Sequence, residues 1–337
     1  MMPISKAEIK RAIRKAEESI DLLDLDLSRL KVLTEVGSNY FALTPVIALM
    51  AGALEVFAWT KDSRFGKGSE NVEECKDILK EISYKGEIKF RVNRRPIEDI
   101  KSANIITNSG FIRPLDKFFL KHVSPSSTVI PLMYESWEFR DEDIDINYCK
   151  NNNIKVAGTW ENHPAIKVFS ATGPLAIKLA MEANCEVYQN NIIVWSDDHF
   201  GKEAKKSFER LGASTVLLTT DKEVLMNNLR KTDFIYICNY NEKRKYFGED
   251  DKSIFDIKEI YKQNSGIQII HLYGDIDNDL LDKYSIGIYP PKKGYSSVMT
   301  YTLAHLGMTP LIRLQTGGLK VGEVIYKKQV NKITQII

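Results

Sequence analysis

Apolar positions follow two rhythms along this chain. Near the N-terminus Ile9, Ala12, Ile13, Ala16, Ile20 and Leu23 recur every three or four residues, the period of one helix face, and Ser5 and Glu8 stand in front of them at capping-box spacing. From Lys31 short apolar runs take over. Val32 to Val36 reads as a buried strand, Gly37 as a turn, about Ala42 to Met50 as an apolar helix, and Glu55 to Thr60 as a second strand ending near Asp62. The plan recurs later. Ile192 to Trp195 is a strand, Ala204, Phe208 and Leu211 mark a helix that begins near Gly201 and stops at Gly212, and Thr215 to Thr220 is a strand ending on Asp221. AGALEVFAWTKD and LGASTVLLTTD are the two copies of its second half.

Each copy continues in alternation. Strands are predicted near Ile88 to Val92, Asn104 to Thr107 and Thr128 to Met133 in the first, and at Asp233 to Cys238, Ile267 to Leu272 and Ser285 to Tyr289 in the second, with helices near Glu70 to Ile82, to about Leu229, and around Ile254 to Lys262. Such alternation predicts an α/β protein of two doubly wound, Rossmann- or flavodoxin-like domains with mainly parallel sheets and an inter-domain cleft. The expected division is 1–160 for a substrate-type domain, 161–190 for an inter-domain helix, 191–295 for a nucleotide-type domain, and 296–337 for a helix and strand returning to the first. Length agrees, since 337 residues exceed what one core supports.

Charge narrows the partners. With 47 basic and 45 acidic side chains the net charge is +2, which gives no reason to invoke nucleic acid or an anionic membrane. Tyr40 to Trp59 carries one charge, Glu55, but Pro45 and Gly52 break it into a buried helix and strand rather than a membrane span. Cys75, Cys149, Cys185 and Cys238 are too dispersed for a zinc site or a disulfide framework, and no apolar signal core opens the chain. Reduced thiols in a cytoplasmic protein are expected.

The richest stretch is 191–221, which reads as a mononucleotide-binding unit with its phosphate loop rewritten. In a G-x-G-x-x-G loop the first two glycines allow a tight turn and close approach to pyrophosphate, yet Ser196 and Asp198 hold those places and only Gly201 remains. Asp197 and Asp198 bring negative charge to a helix N-terminus that favours anions, and they can cap that helix themselves. Asp221 lies where such folds keep the acid that grips an adenosine ribose, which favours NAD over NADP; Lys222 beside it works the other way. A metal at Asp197-Asp198-His199 is not expected, because three consecutive side chains seldom converge.

Arg140 to Thr159, RDEDIDINYCKNNNIKVAGT, resembles a stretch of the D-2-hydroxyacid dehydrogenases, the formate and glycerate dehydrogenase group, in which a D-N-I-D phrase leads through a helix to an R-G-I-x-V strand. The resemblance, in element order over about residues 30–310, implies two Rossmann-like domains, NAD as cofactor, a small-molecule substrate and a homodimer. It does not extend to the family's catalytic set. Tyr273 stands in LYGD where the arginine of an A-R-G phrase is expected, Lys292 stands in PKKG where the histidine of P-H-x-G is expected, and the glutamate's loop is missing. GKEAKKSFERLGA also resembles the NAD domain of S-adenosylhomocysteine hydrolases.

Open parallel sheets bind ligands beyond the carboxyl ends of their strands. That rule selects Ser196, Asp198, His199, Phe200, Gly201, Lys202, Thr220, Asp221, Cys238, Asn239 and Tyr273 as cofactor-binding candidates. For chemistry it selects Arg113 as an anion clamp or the partner of a neighbouring acid, and Glu135 with Glu138 as a general base or solvated acids. His163 before Pro164 is a proton-transfer group or a turn histidine. Lys292 is an acid, an electrostatic partner or an exposed lysine. The function expected is an NAD(P)-dependent oxidoreductase acting on a small polar, anionic metabolite. The alternatives are a non-catalytic nucleotide or metabolite binder and a hydrolase-like enzyme on the same scaffold.

Overall fold

The structure, a computed structural model, describes residues 4–64, 66–250 and 252–337. It divides into two compact units, one of residues up to Val168 together with Met308–Ile337, the other Phe169–Gly307.

Unit 1 opens with helix α1 (Lys6–Leu23), capped reciprocally by Ser5 and Glu8 and buried along Ile9, Ala12, Ile13, Ala16 and Leu23. There follow β1 (Lys31–Glu35), α2 (Leu43–Met50), β2 (Glu55–Thr60), α3 (Gly68–Leu79), β3 (Glu87–Val92), α4 (Ile97–Ser102), β4 (Ile105–Ile106), α5 (Lys117–Leu120), β5 (Val129–Pro131), α6 (Ile146–Asn151) and β6 (Lys155–Thr159). These six strands are parallel in the order β3-β2-β1-β4-β5-β6, the doubly wound order of dinucleotide folds, whose direction reverses between β1 and β4. Strand β2 is buried along its whole length: Val56 to Trp59 are apolar, and Glu55 at its start is paired with Lys31 and Lys89.

In unit 2 the chain forms α7 (Thr172–Glu182), β7 (Asn191–Trp195), α8 (His199–Arg210), β8 (Thr215–Thr219), α9 (Lys222–Asn228), β9 (Phe234–Ile237), the short parallel pair β10 (Phe247–Gly248) and β11 (Phe255–Asp256), α10 (Ile257–Gln263), β12 (Gln268–His271), α11 (Asn278–Lys283) and β13 (Gly287–Tyr289). Five of its strands pair in parallel as β13-β12-β9-β7-β8, so the reversal falls between β7 and β9. Helix α7 covers only 11 residues, shorter than the helix expected over 161–190, because a 3-10 turn at Phe169–Ala171 leads into it and an αL residue, Asn184, lies just beyond its end.

The last elements, α12 (Met308–Tyr326) and β14 (Thr334–Ile336), belong to unit 1. Ile312 and Leu319 of α12 join the core formed by α1, α2, β1 and β2. Strand β14 pairs antiparallel with β6, with Gln335 opposite Gly158. Among the described residues no helix is long and apolar enough to cross a membrane. The Tyr40 to Trp59 stretch is α2 followed by β2.

Candidate functional site

Where β7 and β9 end side by side, the sheet of unit 2 reverses direction, and one carboxylate bridges the two strand ends. Asp198 is the N-cap of α8: Oδ1 accepts from the Phe200 amide at 2.9 Å, the Gly201 amide at 3.3 Å and the Ser196 hydroxyl at 2.7 Å. Its Oδ2 accepts from the Tyr240 amide, beyond β9, at 2.8 Å. The amides that would meet a phosphate in a glycine-rich loop are thus satisfied from within the chain. Asn239 donates to Asp197 at 3.2 Å across the same gap. Gly201 keeps a packing role, since a Cβ there would meet Ser196 Cβ at 2.5 Å and Leu218 Cδ1 at 2.8 Å.

Around this turn the structure gathers several of the sequence candidates. Phe200 and Tyr273 are buried with ring centroids 4.9 Å apart, Tyr240 lies 5.4 Å from Tyr273, and Phe169 packs 5.3 Å from Phe200. Beneath them Cys238 is fully buried, and burial, followed by the charge of Asp198, pushes its thiol well above the usual range. It is no ready nucleophile. His199 and Lys202 are exposed on the first turn of α8. Thr220 and Asp221 are exposed beyond β8, where Asp221 caps α9 by accepting from the Glu223 amide at 2.8 Å and the Val224 amide at 3.2 Å.

Unit 1 has its own polar group at the β1/β4 reversal. Glu35 ends β1, buried, with Oε2 accepting from the Phe111 amide at 2.8 Å, and desolvation holds its carboxyl above the usual carboxylate range. Thr34 and Thr107 share a hydrogen bond of 2.8 Å beside it. Arg113 donates to the Asn108 side chain at 2.8 Å and carbonyl at 2.9 Å, pairs with Asp143 at 3.2 Å, and lies 5.0 Å over the Tyr134 ring. Its guanidinium is therefore committed to partners within the unit. Asp143 also takes Arg140 in a bidentate pair; sequence reasoning passed over it, although its spacing of three from Arg140 was the available signal.

Further along the sheet, Glu135 follows β5 and accepts from the Glu161 amide, beyond β6, at 2.8 Å and from the Gln335 side chain. Glu138 and Glu161 lie close enough for their charges to act on one another. Desolvation first, and then the charge of Glu135, pushes Glu138 up to about 7. Glu161 is raised by its burial and then by Glu138 and Glu135. His163, on the same segment, accepts from the Ala165 amide at 3.3 Å and packs edge-on against Trp160, with burial lowering its pKa.

Lys292 does not join the β7/β9 junction. It follows the edge strand β13, exposed, with its ammonium 3.8 Å from the Tyr301 ring centre, while Tyr301 stacks on His305 at 4.0 Å and His305 meets Glu182 at 2.7 Å. A groove of about 670 Å³ along α9 and α10 mixes Lys222, Arg230 and Lys262 with Glu223 and Glu259; it is framed by helices rather than by strand ends.

No protein-family model and no curated protein sequence matches the chain. Solved structures do. Dipicolinate synthase A chain from Bacillus subtilis aligns at TM-score 0.53 and 12% identity over 90% of this chain and 97% of that one. The pyruvate reductase of Chlamydomonas reinhardtii aligns at 0.53 and 10% over 90% and 98%. A D-isomer-specific 2-hydroxyacid dehydrogenase from Lactobacillus delbrueckii ssp. bulgaricus, in its NAD-complexed form, aligns at 0.50 and 11% over 91% and 100%. At such identities the likeness to all three is one of fold.

Proposed function

We propose that the protein is an NAD(P)-linked oxidoreductase acting on a small polar metabolite, with unit 2 holding the nucleotide and the strand ends of unit 1 holding the metabolite. The observation that carries this reading is the β7/β9 junction: a topological reversal in a parallel sheet, Gly201 packed against Ser196, and an acid, Asp221, just beyond the neighbouring strand. The NAD bound to the Lactobacillus dehydrogenase of similar fold supports the same ligand class.

The diphosphate is the part that does not fit. The amides of Phe200 and Gly201 are held by Asp198, whose charge would also repel a phosphate. Recognition therefore falls to the nucleoside end, through Asp221 and the exposed turn beside it. Asp221 favours a free 2′-hydroxyl over a 2′-phosphate, and Lys222 moderates that preference. On the metabolite side Arg113, tied to Asn108 and Asp143, positions neighbouring groups rather than clamping an anion by itself.

Titration with NADH, NADPH, ADP and adenosine, read by nucleotide fluorescence and calorimetry, tests the reading. NADH should bind, and adenosine should keep most of its affinity because the diphosphate contributes little. Absence of binding by all four at millimolar concentration would overturn the proposal. It would leave a second reading, favoured by the Asp198 carboxylate at the anion position: a non-catalytic protein whose unit 2 takes a ligand without a diphosphate.

A further inference from the structure

Three carboxyl groups gather at one end of the unit 1 sheet, and the chain supplies donors for only one of them. Glu135 is 4% exposed and accepts from the Glu161 amide and from Gln335, whose own carbonyl oxygen accepts from the Ser136 amide at 2.8 Å. That last bond fixes the Gln335 amide with its NH2 toward Glu135. Glu161 is 7% exposed, yet among the described residues its carboxyl group has no hydrogen-bond or ion-pair partner. The Glu138 carboxyl group has none either.

Burying a carboxyl group without a donor is costly, and burying its charge without a counter-charge costs more. The chain provides no counter-charge here. Burial and carboxylates alone act on Glu138 and Glu161, with no basic group among the causes. Arg113 and Arg140 are committed to Asp143, and His163 turns its ring to Trp160 and the Ala165 amide. The set is left with more acceptor oxygens than the chain has donors to fill them.

We propose that Glu135, Glu138 and Glu161 form a subsite for the primary ammonium group of a small metabolite. An ammonium offers three N–H donors, one for each carboxylate, at ordinary hydrogen-bond distances. A divalent ion needs a tighter cage, about 2.0–2.6 Å from each oxygen, and among the described residues no three His, Cys, Asp or Glu side chains converge in that way. Binding ionises the set, so a proton passes from Glu138 or Glu161 to solvent as the ammonium enters. The inference rests on unit 1 as the metabolite-holding body and narrows its ligand to an amine-bearing one.

The test is calorimetric titration of the full-length protein with methylammonium chloride, in two buffers of different ionisation heat, against tetramethylammonium and sodium chloride at equal ionic strength. Saturable methylammonium binding with net proton release is expected, about tenfold tighter at pH 8 than at pH 6 for one displaced proton. Tetramethylammonium, which has no N–H, should not bind. Glu161→Gln should weaken methylammonium at least tenfold while NADH binding stays as in the parent, and Glu138→Gln gives the same readout should the first variant fail to fold. Binding that is pH-independent, shared by tetramethylammonium or sodium, or unaffected by both substitutions overturns the subsite, as does no binding at all. Methylammonium binding without NADH binding overturns the oxidoreductase reading and leaves the subsite standing.

Discussion

Replacing Asp198 separates its two roles, helix cap and occupant of the anion position. Asp198→Ala removes acceptors from the Phe200, Gly201 and Tyr240 amides and from the Ser196 hydroxyl. Loss of the cap costs about 1 kcal/mol, and a partly buried Tyr240 amide left without a partner about 1–3 more, so unit 2 should lose about 2–4 kcal/mol. Asp198→Gly costs less at the cap, since glycine is tolerated there, and it opens the α8 amides. Removing one like charge about 4 Å from a phosphate relieves up to about 4 kcal/mol at an effective dielectric of 20. Even a third of that is a tenfold gain in affinity. Hydrogen exchange at the Phe200, Gly201 and Tyr240 amides reports the first role, and calorimetry with inorganic pyrophosphate reports the second. Unchanged protection at Tyr240 in the alanine variant, or pyrophosphate bound no better by the glycine variant than by the parent, would refute the reasoning.

Gly201→Ala should destabilise unit 2 by about 1–3 kcal/mol through the clash with Ser196 and Leu218, measurable by urea unfolding. Asp221→Ala should weaken NADH and spare NADPH; an unchanged preference removes the ribose assignment. The two units should answer pH in opposite directions. Burial lowers His271 to about 4 from an ordinary 6.5, so the unfolded chain takes up more protons between those values and unit 2 loses stability as pH falls from 6.5 toward 4. Glu138, raised from 4.5 to about 7, binds more protons when folded, so its contribution is full below 4.5 and is lost as pH rises toward 7. Thermal unfolding of the parent, His271→Gln and Glu138→Gln at pH 5.5 and 7.5 checks both slopes, and a variant that keeps the parent's slope contradicts its assignment. Finally, turnover on any substrate that survives the double substitution His163→Ala with Lys292→Ala would exclude both from proton transfer.

Strands were legible in the sequence because a fully buried strand leaves an unbroken apolar run, as Ile192 to Trp195 and Val56 to Trp59 do. Sheet order was not, since β4 contributes two residues and its place beside β1 depends on pairing distant in sequence. A returning helix and strand were expected over 296–337, but the span of that helix was not legible because Gly317, Gly318 and Gly322 look like turn residues. In the structure they lie on α12 and let that helix approach the sheet, where a Cβ on Gly322 would meet Ile105 at 2.8 Å. The capping role of Asp198 could be suspected from its place before α8, but its reach to Tyr240 spans 42 positions. For the same reason Gln335 escaped notice: its contact with Glu135 crosses 200 residues.

Because α12 and β14 complete unit 1 from Met308 onward, the ribosome finishes unit 2 before the earlier-encoded unit 1 can close. Until Ile312 and Leu319 emerge, the nascent first unit presents an uncovered greasy sheet face that invites chaperones. A premature stop or frameshift after Gly307 would thus spare the later-encoded body and ruin the earlier one.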